Sequence, residues 1–165
     1  MRKGSGLYRR QDVKDEEQLY GELDTDSWVT LIDKLEFHNQ VVLDIGSGGA
    51  DFIAHGAKLL PDTKFIGVEF VNHRHKYALK FNNELDNLIL VNDKYPCNIP
   101  FNPSIVIIHG CAFSNESIKN IYKNIPKGCR VIHNSLSMHR LHDNDQKLLL
   151  RTSYSKKVYF YIFTK

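Results

Sequence analysis

Val41-Val-Leu-Asp44-Ile-Gly46-Ser-Gly48-Gly-Ala50-Asp51 carries an apolar strand, a glycine turn and the start of a helix within eleven residues. An apolar run without alternation is what a strand covered on both faces requires. An acid at its end, with glycines behind it, lets the backbone pass close to a ligand at the edge of an open sheet. In dinucleotide-binding turns of the GxGxxG form, the third glycine helps seat a pyrophosphate on the helix N-terminus. Asp51 holds that position here, and its carboxylate would repel phosphate. Asp44 and Asp51 together suit a ligand with a cationic group.

Outward from this turn, short apolar runs recur at Val41 to Ile45, Phe65 to Phe70, Leu88 to Val91, Ile105 to His109 and Arg130 to His133. Helical or turn segments separate them. Asp51 to Leu60 reads as a helix stopped by Pro61-Asp62, and Asn72 to Leu85 as a second carrying Tyr77, Leu79, Phe81 and Leu85. Upstream, Trp28, Leu31, Ile32 and Leu35 recur at helical spacing behind the capping residues Asp24, Thr25 and Asp26. The alternation predicts an α/β fold with a doubly wound, Rossmann-like parallel sheet. The end differs. Leu148 to Thr152 and Val158 to Phe163 flank only Ser153 to Lys156, too short for a crossover helix, so they must pair as an antiparallel hairpin and bring the sheet to seven strands.

The strand ends carry the chemistry. Glu69 lies 25 residues after Asp44, at the end of the second run, where a carboxylate can chelate ribose hydroxyls. Asp93 follows the third run. Each acid alone could cap a helix or face solvent, but acids at three consecutive strand ends beside Gly46, Ser47 and Gly48 make a ligand site the expectation.

The rest of the composition narrows the class. A chain of 165 residues with 42% hydrophobic and 25% charged residues suits one globular domain, expected at 18–165, behind a flexible arm at 1–17 that mixes both charges with Gly4 and Gly6. No apolar stretch approaches the roughly 20 residues of a membrane span, and no apolar run follows Arg2 and Lys3, so neither membrane insertion nor secretion is expected. The expected location is intracellular, nucleus or cytoplasm. Cys97, Cys111 and Cys129 lack both disulfide-framework and zinc spacing and read as reduced thiols near the core. Neither His73 with His75 nor His139 with His142 has a complete ligand set, so no metal is expected. The net charge of +3 and pI of about 8.7 are compatible with an anionic partner, and Arg2, Lys3, Arg9 and Arg10 would offer phosphate contacts from the arm.

Five parallel strands closed by an antiparallel pair resemble the class I methyltransferases, which use S-adenosylmethionine. From Tyr20 almost to the C-terminus the sequence is most similar to the histone lysine methyltransferases that lack a SET domain, the disruptor-of-telomeric-silencing type. Tyr20-Gly21-Glu22 resembles that family's cofactor-covering loop, Asp44-Ile-Gly46-Ser47-Gly48 its DLGSG turn, and Gly67-Val-Glu69 its GVE. His109-Gly-Cys-Ala112-Phe113 is similar to its NNFAF segment, and Lys127-Gly128-Cys-Arg130-Val-Ile132 to KEGGRIV. The resemblance implies that Tyr20, Gly21, Glu22, Asp44, Gly46, Ser47, Gly48, Asp51, Glu69 and Asp93 bind the cofactor, with Asp93 toward the adenine amino group. It also implies that His109, Phe113, Tyr154, Phe160 and Tyr161 form the transfer site and an aromatic lysine channel. Three positions depart from the pattern: His109 replaces the family's asparagine, and Ala50 and Asp51 replace a glycine and a glutamine.

The implied activity is protein lysine methylation on a histone, a nucleosome or another basic DNA-associated protein. RNA methylation, for example of a tRNA purine, is the alternative, since Phe65-Ile-Gly-Val-Glu69 is similar to a segment of guanine-N7 tRNA enzymes. A degenerate methyltransferase fold kept as a binding subunit is the third reading. No NPPY-type segment follows the fourth run, which speaks against methylation of adenine or cytosine amino groups.

Overall fold

The computed structural model describes residues 23–109, 113–151 and 157–165. Their elements, in chain order, are α1 (Thr25–Lys34), β1 (Val41–Ile45), α2 (Asp51–Leu59), β2 (Lys64–Val68), α3 (Asn72–Asn82), β3 (Leu88–Val91), β4 (Ile105–Ile108), α4 (Asn115–Asn124), β5 (Arg130–His133), α5 (Leu136–His139), β6 (Gln146–Arg151) and β7 (Lys157–Thr164). One seven-stranded sheet results, in the order β3-β2-β1-β4-β5-β7-β6. The first five strands are parallel, and β7 runs antiparallel to both β5 and β6. The doubly wound sheet and its terminal hairpin are as the hydrophobic pattern predicts.

Two cores cover the two faces. Trp28, Leu31, Ile53, Ala57 and Ala78 bring α1, α2 and α3 against one face, whereas Ile118, Ile121 and Met138 bring α4 and α5 against the other. The central strands are buried on both sides, with Val42, Leu43, Phe65, Ile66, Val106 and Ile108 all at 0% exposure. Such strands must be apolar throughout, which is why their runs show no alternation.

Local chemistry sets the boundaries. Asp24 caps α1 by accepting from the Ser27 amide at 2.8 Å. The same end is tied to the hairpin, where the Arg151 amide donates to Ser27 Oγ at 2.7 Å. At the other end Arg130 Nη1 donates to the Leu35 carbonyl at 2.6 Å, fastening α1 to β5. Asn87 Nδ2 lies within 3.0 Å of the Ala57, Leu60 and Thr63 carbonyls and so pins the α2–β2 connection to the start of β3.

Departures from expectation include two element ends and one added helix. β2 ends at Val68 rather than Phe70, because the Val68 carbonyl accepts from the Gly46 and Ser47 amides at 2.8 and 3.1 Å and turns the chain toward the glycine loop. α3 stops at Asn82 rather than Leu85, where Asn82 Nδ2 bonds back to the Ala78 carbonyl at 2.9 Å. The one-turn helix α5 has no counterpart in the sequence reading; Ser135 caps it through a 3.3 Å bond from the Met138 amide. Among the described residues, no helix is long and apolar enough to cross a membrane.

Candidate active site

The parallel strands end together, and the residues that follow them converge. Asp44 pairs in register with Gly67 on β2 and Ile107 on β4. Glu69 stands one residue past β2, Asp93 two past β3 and His109 one past β4. The turn after β1 is built by backbone that side chains rarely allow: Gly46 has φ +80°, Gly48 φ +57° and Ala50 φ +61°. Any side chain at Gly46 would also collide, since a Cβ there would lie 2.8 Å from Phe113 Cζ.

Two cavities meet at Gly46. The larger, of about 460 Å³, is bordered by Gly46, Phe70, Asp93, Lys94, Phe113 and Glu116 among others. The smaller, of about 50 Å³, lies on the α1 and α2 side and is lined by Trp28, Asp44, Ser47, Asp51, His109 and Phe160, with Phe52 beside them. Phe113 therefore borders the larger space while its ring covers the glycine that both share.

Glu69 is buried, and each of its carboxylate oxygens accepts a backbone amide: Oε2 from Gly48 at 2.8 Å and Oε1 from Val71 at 2.7 Å. It ties the glycine turn to the end of β2. Each oxygen keeps a second lone pair for a ligand. Asn92 Nδ2 donates to the Glu69 carbonyl at 2.7 Å and joins this end to β3. Asp44 is also buried; desolvation, and secondly the negative charge of Glu69, push its carboxyl up to about 7. Asp93 is exposed and accepts from the Lys94 amide at 2.7 Å.

Ser47 Oγ is buried with no hydrogen-bond partner among the described residues. Gly67 makes room for it, because a Cβ there would stand 2.8 Å from that oxygen and 2.5 Å from Ile53 Cδ1. At the end of β4 the His109 ring lies 5.5 Å from the fully buried Phe160 ring. Burial lowers the His109 imidazole to about 4, so it is neutral at physiological pH. Trp28 and Phe52, their rings 5.9 Å apart, complete an aromatic wall on the same side.

No family model and no curated protein matches the sequence. Solved structures do match. An RNA methyltransferase from Salinibacter ruber, in complex with S-adenosyl-L-homocysteine, superposes with a TM-score of 0.69 at 17% identity over 86% of this chain and 91% of that one. Precorrin-6y C5,15-methyltransferase from Geobacter metallireducens GS-15 gives 0.64 at 16% identity over 87% and 90%. A SAM-dependent methyltransferase from Geobacter sulfurreducens, also with S-adenosyl-L-homocysteine, gives 0.61 at 13% over 88% and 76%. The fold is that of the class I methyltransferases. At identities of 17% or less these likenesses speak to the fold, and the closer resemblance to the non-SET histone lysine enzymes rests on the sequence motifs alone.

Within the class I methyltransferase fold the structure gathers Asp44, Gly46, Ser47, Asp51, His109 and Phe160 around one cavity and Asp93 and Phe113 around its neighbour. Tyr161 does not join them. Side chains alternate along a strand, and Tyr161 points to the face opposite Phe160, where its ring lies 5.7 Å from His133 and 4.4 Å from His139. As placed, it cannot wall a channel shared with Phe160. Tyr20, Gly21, Glu22, Tyr154 and the basic arm lie outside the described residues.

The sequence reading missed Phe52, Trp28 and Lys94 as cleft residues. Phe52 adjoins Asp51 in the first turn of α2 and Lys94 adjoins Asp93, so adjacency to residues already singled out was the available signal. Trp28 read as core, and it is 9% exposed. Among the described residues no group of three or more histidines, cysteines or acids is placed to hold a metal ion.

Proposed function

We propose that the protein is an S-adenosylmethionine-dependent methyltransferase whose acceptor is a protein lysine. The observation that carries the cofactor reading is that Asp44 and Asp93, from strand ends on either side of β2, border the cavities that meet at Gly46, while Glu69, at the end of β2 between them, lines neither cavity and is bonded to the glycine turn. The donor set fits. Asp44 and Asp51 oppose a cationic amino-acid group, the unpartnered Ser47 Oγ offers a hydrogen bond in the same cavity, the second lone pairs of Glu69 receive ribose hydroxyls, and Asp93 receives the adenine amino group. When bound, the cofactor supplies an electrophilic methyl group on a sulfonium sulfur. Two of the three solved structures named above hold S-adenosyl-L-homocysteine, which accords with that assignment.

The chain's own residues must then present a neutral nucleophile. A lysine of pKa ~10.4 is uncharged only about once in 2,500 at pH 7, so a lysine site has to favour the neutral amine. Desolvation by Trp28, Phe52 and Phe160 does so, and neutral His109 can accept a hydrogen bond from the amine and orient it. A protonated imidazole would repel the cation. Support for lysine in particular comes from the resemblance to the non-SET histone enzymes and from these aromatic walls. RNA is the second reading, favoured by the likeness of Phe65-Ile-Gly-Val-Glu69 to guanine-N7 tRNA enzymes and by the Salinibacter ruber RNA methyltransferase among the matching structures.

A tritiated-methyl assay with histones, nucleosomes and tRNA side by side separates them. Label on lysine of the basic proteins is expected, and label on tRNA alone would replace lysine by RNA. Absence of transfer to any of them, with the cofactor bound, would turn the chain into a binding subunit.

A further inference from the structure

Helix α3 presents an aromatic stripe outward. His73, Tyr77 and Phe81 fall at i, i+4 and i+8, and Lys76 and Lys80 form the adjacent row. Tyr77 and Phe81 are 42% and 41% exposed, with ring centroids 4.7 Å apart, and Lys80 Nζ stands 5.4 Å from the Phe81 ring. The only fully buried residue of the helix is Ala78, so these rings are not its anchor to the sheet. The helix contains Arg74, Lys76 and Lys80 and no acid; Glu84 and Asp86 come only after its end.

We propose that this face of α3 is a docking surface for single-stranded RNA. A cationic row beside exposed rings matches a chain that carries phosphates along one edge and unpaired bases along the other, since bases stack on aromatic side chains and phosphates exchange their counterions for lysines. The uniform positive charge of the helix is complementary to such a strand and opposes a second copy of the same face. The surface is separate from the methyl-transfer reading: Tyr77 and Phe81 line neither cavity at Gly46, and binding needs no cofactor.

Fluorescence anisotropy with a fluorescein-labelled oligouridylate of about fifteen nucleotides, without cofactor and over a range of salt, tests it. Saturable binding at low salt is expected. Tyr77→Ala with Phe81→Ala should weaken it at least tenfold while leaving the salt dependence in place. Lys76→Glu with Lys80→Glu should flatten the slope of log K against log salt by about 1.4. All four side chains are exposed, so both variants should fold, which circular dichroism checks. The proposal is overturned by absence of binding, by unchanged affinity in the aromatic variant, by tighter binding of the duplexed oligonucleotide, or by a dimer that the aromatic substitutions disperse.

Discussion

His109 and Asp44 are both buried titratable groups beside the glycine turn, and burial drives each toward its neutral form. For His109 the neutral form is the useful one. His109→Ala should cut turnover by roughly tenfold or more while cofactor affinity stays within about a factor of three, and His109→Asn should retain more activity than alanine because it keeps an acceptor oxygen. Equal turnover of wild type and His109→Ala on the methylated substrate removes His109 from the reaction. For Asp44 the neutral form is a cost to binding. With its free-state value near 7, a cationic ligand must displace the proton below that pH, so affinity should rise with pH and then level off. Titration calorimetry at pH 6 and pH 8 should differ by about tenfold, and Asp44→Asn should abolish the difference. Equal affinity at the two pH values in wild type would show that Asp44 does not face the cation. The acids were legible in the sequence because strand ends converge at one edge of a doubly wound sheet. Which of Phe160 and Tyr161 faces the site was not, because the face a terminal hairpin presents depends on its register with β5.

At the scale of elements, the long apolar runs were legible and the short or tethered pieces were not. The runs of β1, β4 and β5 are set by burial on both faces, a pattern that survives any local detail. The end of β2 depends instead on two amides of a distant turn, and α5 on a single serine cap. The outward facing of the two rings of α3 was not legible, because their i, i+4 spacing is the same whichever way a helix face points. A tether of the same hidden kind closes α4, where Lys165 Nζ donates to the Tyr122, Lys123 and Ile125 carbonyls at 2.5, 3.2 and 2.6 Å. Last-turn carbonyls left without intrahelical partners gain from a cation. Lys165→Met should therefore lower stability by about 1–2 kcal/mol, seen as a lower urea midpoint with an unchanged slope. An unchanged midpoint would mean that water replaces the ammonium at no cost.

For the whole molecule the same groups set how stability follows pH. His109 and His133 are both lowered to about 4 by burial, so the folded state resists protonation that the unfolded chain accepts from about 6.5 downward. Their contribution is fully present above 6.5 and lost as pH falls toward 4. Asp44, raised to about 7, works the other way over that window, because the folded state holds its proton longer than the unfolded chain does. Two histidines against one carboxyl leave a net difference of one proton, or about 1.4 kcal/mol lost per pH unit on acidification. Urea melts from pH 6.5 to 4 should show that slope, and His133→Phe should bring it close to zero. Stability that rises on acidification would contradict the balance. The convergence of the strand ends on a cofactor is the claim on which the functional reading depends, and it is tested most directly by titrating S-adenosyl-L-homocysteine into wild type and Glu69→Ala by isothermal calorimetry. Two ribose hydrogen bonds of roughly 1 kcal/mol each predict one-to-one binding by wild type and a loss of about tenfold or more in the variant. Absence of binding by wild type, or the same affinity in a folded Glu69→Ala, would contradict it.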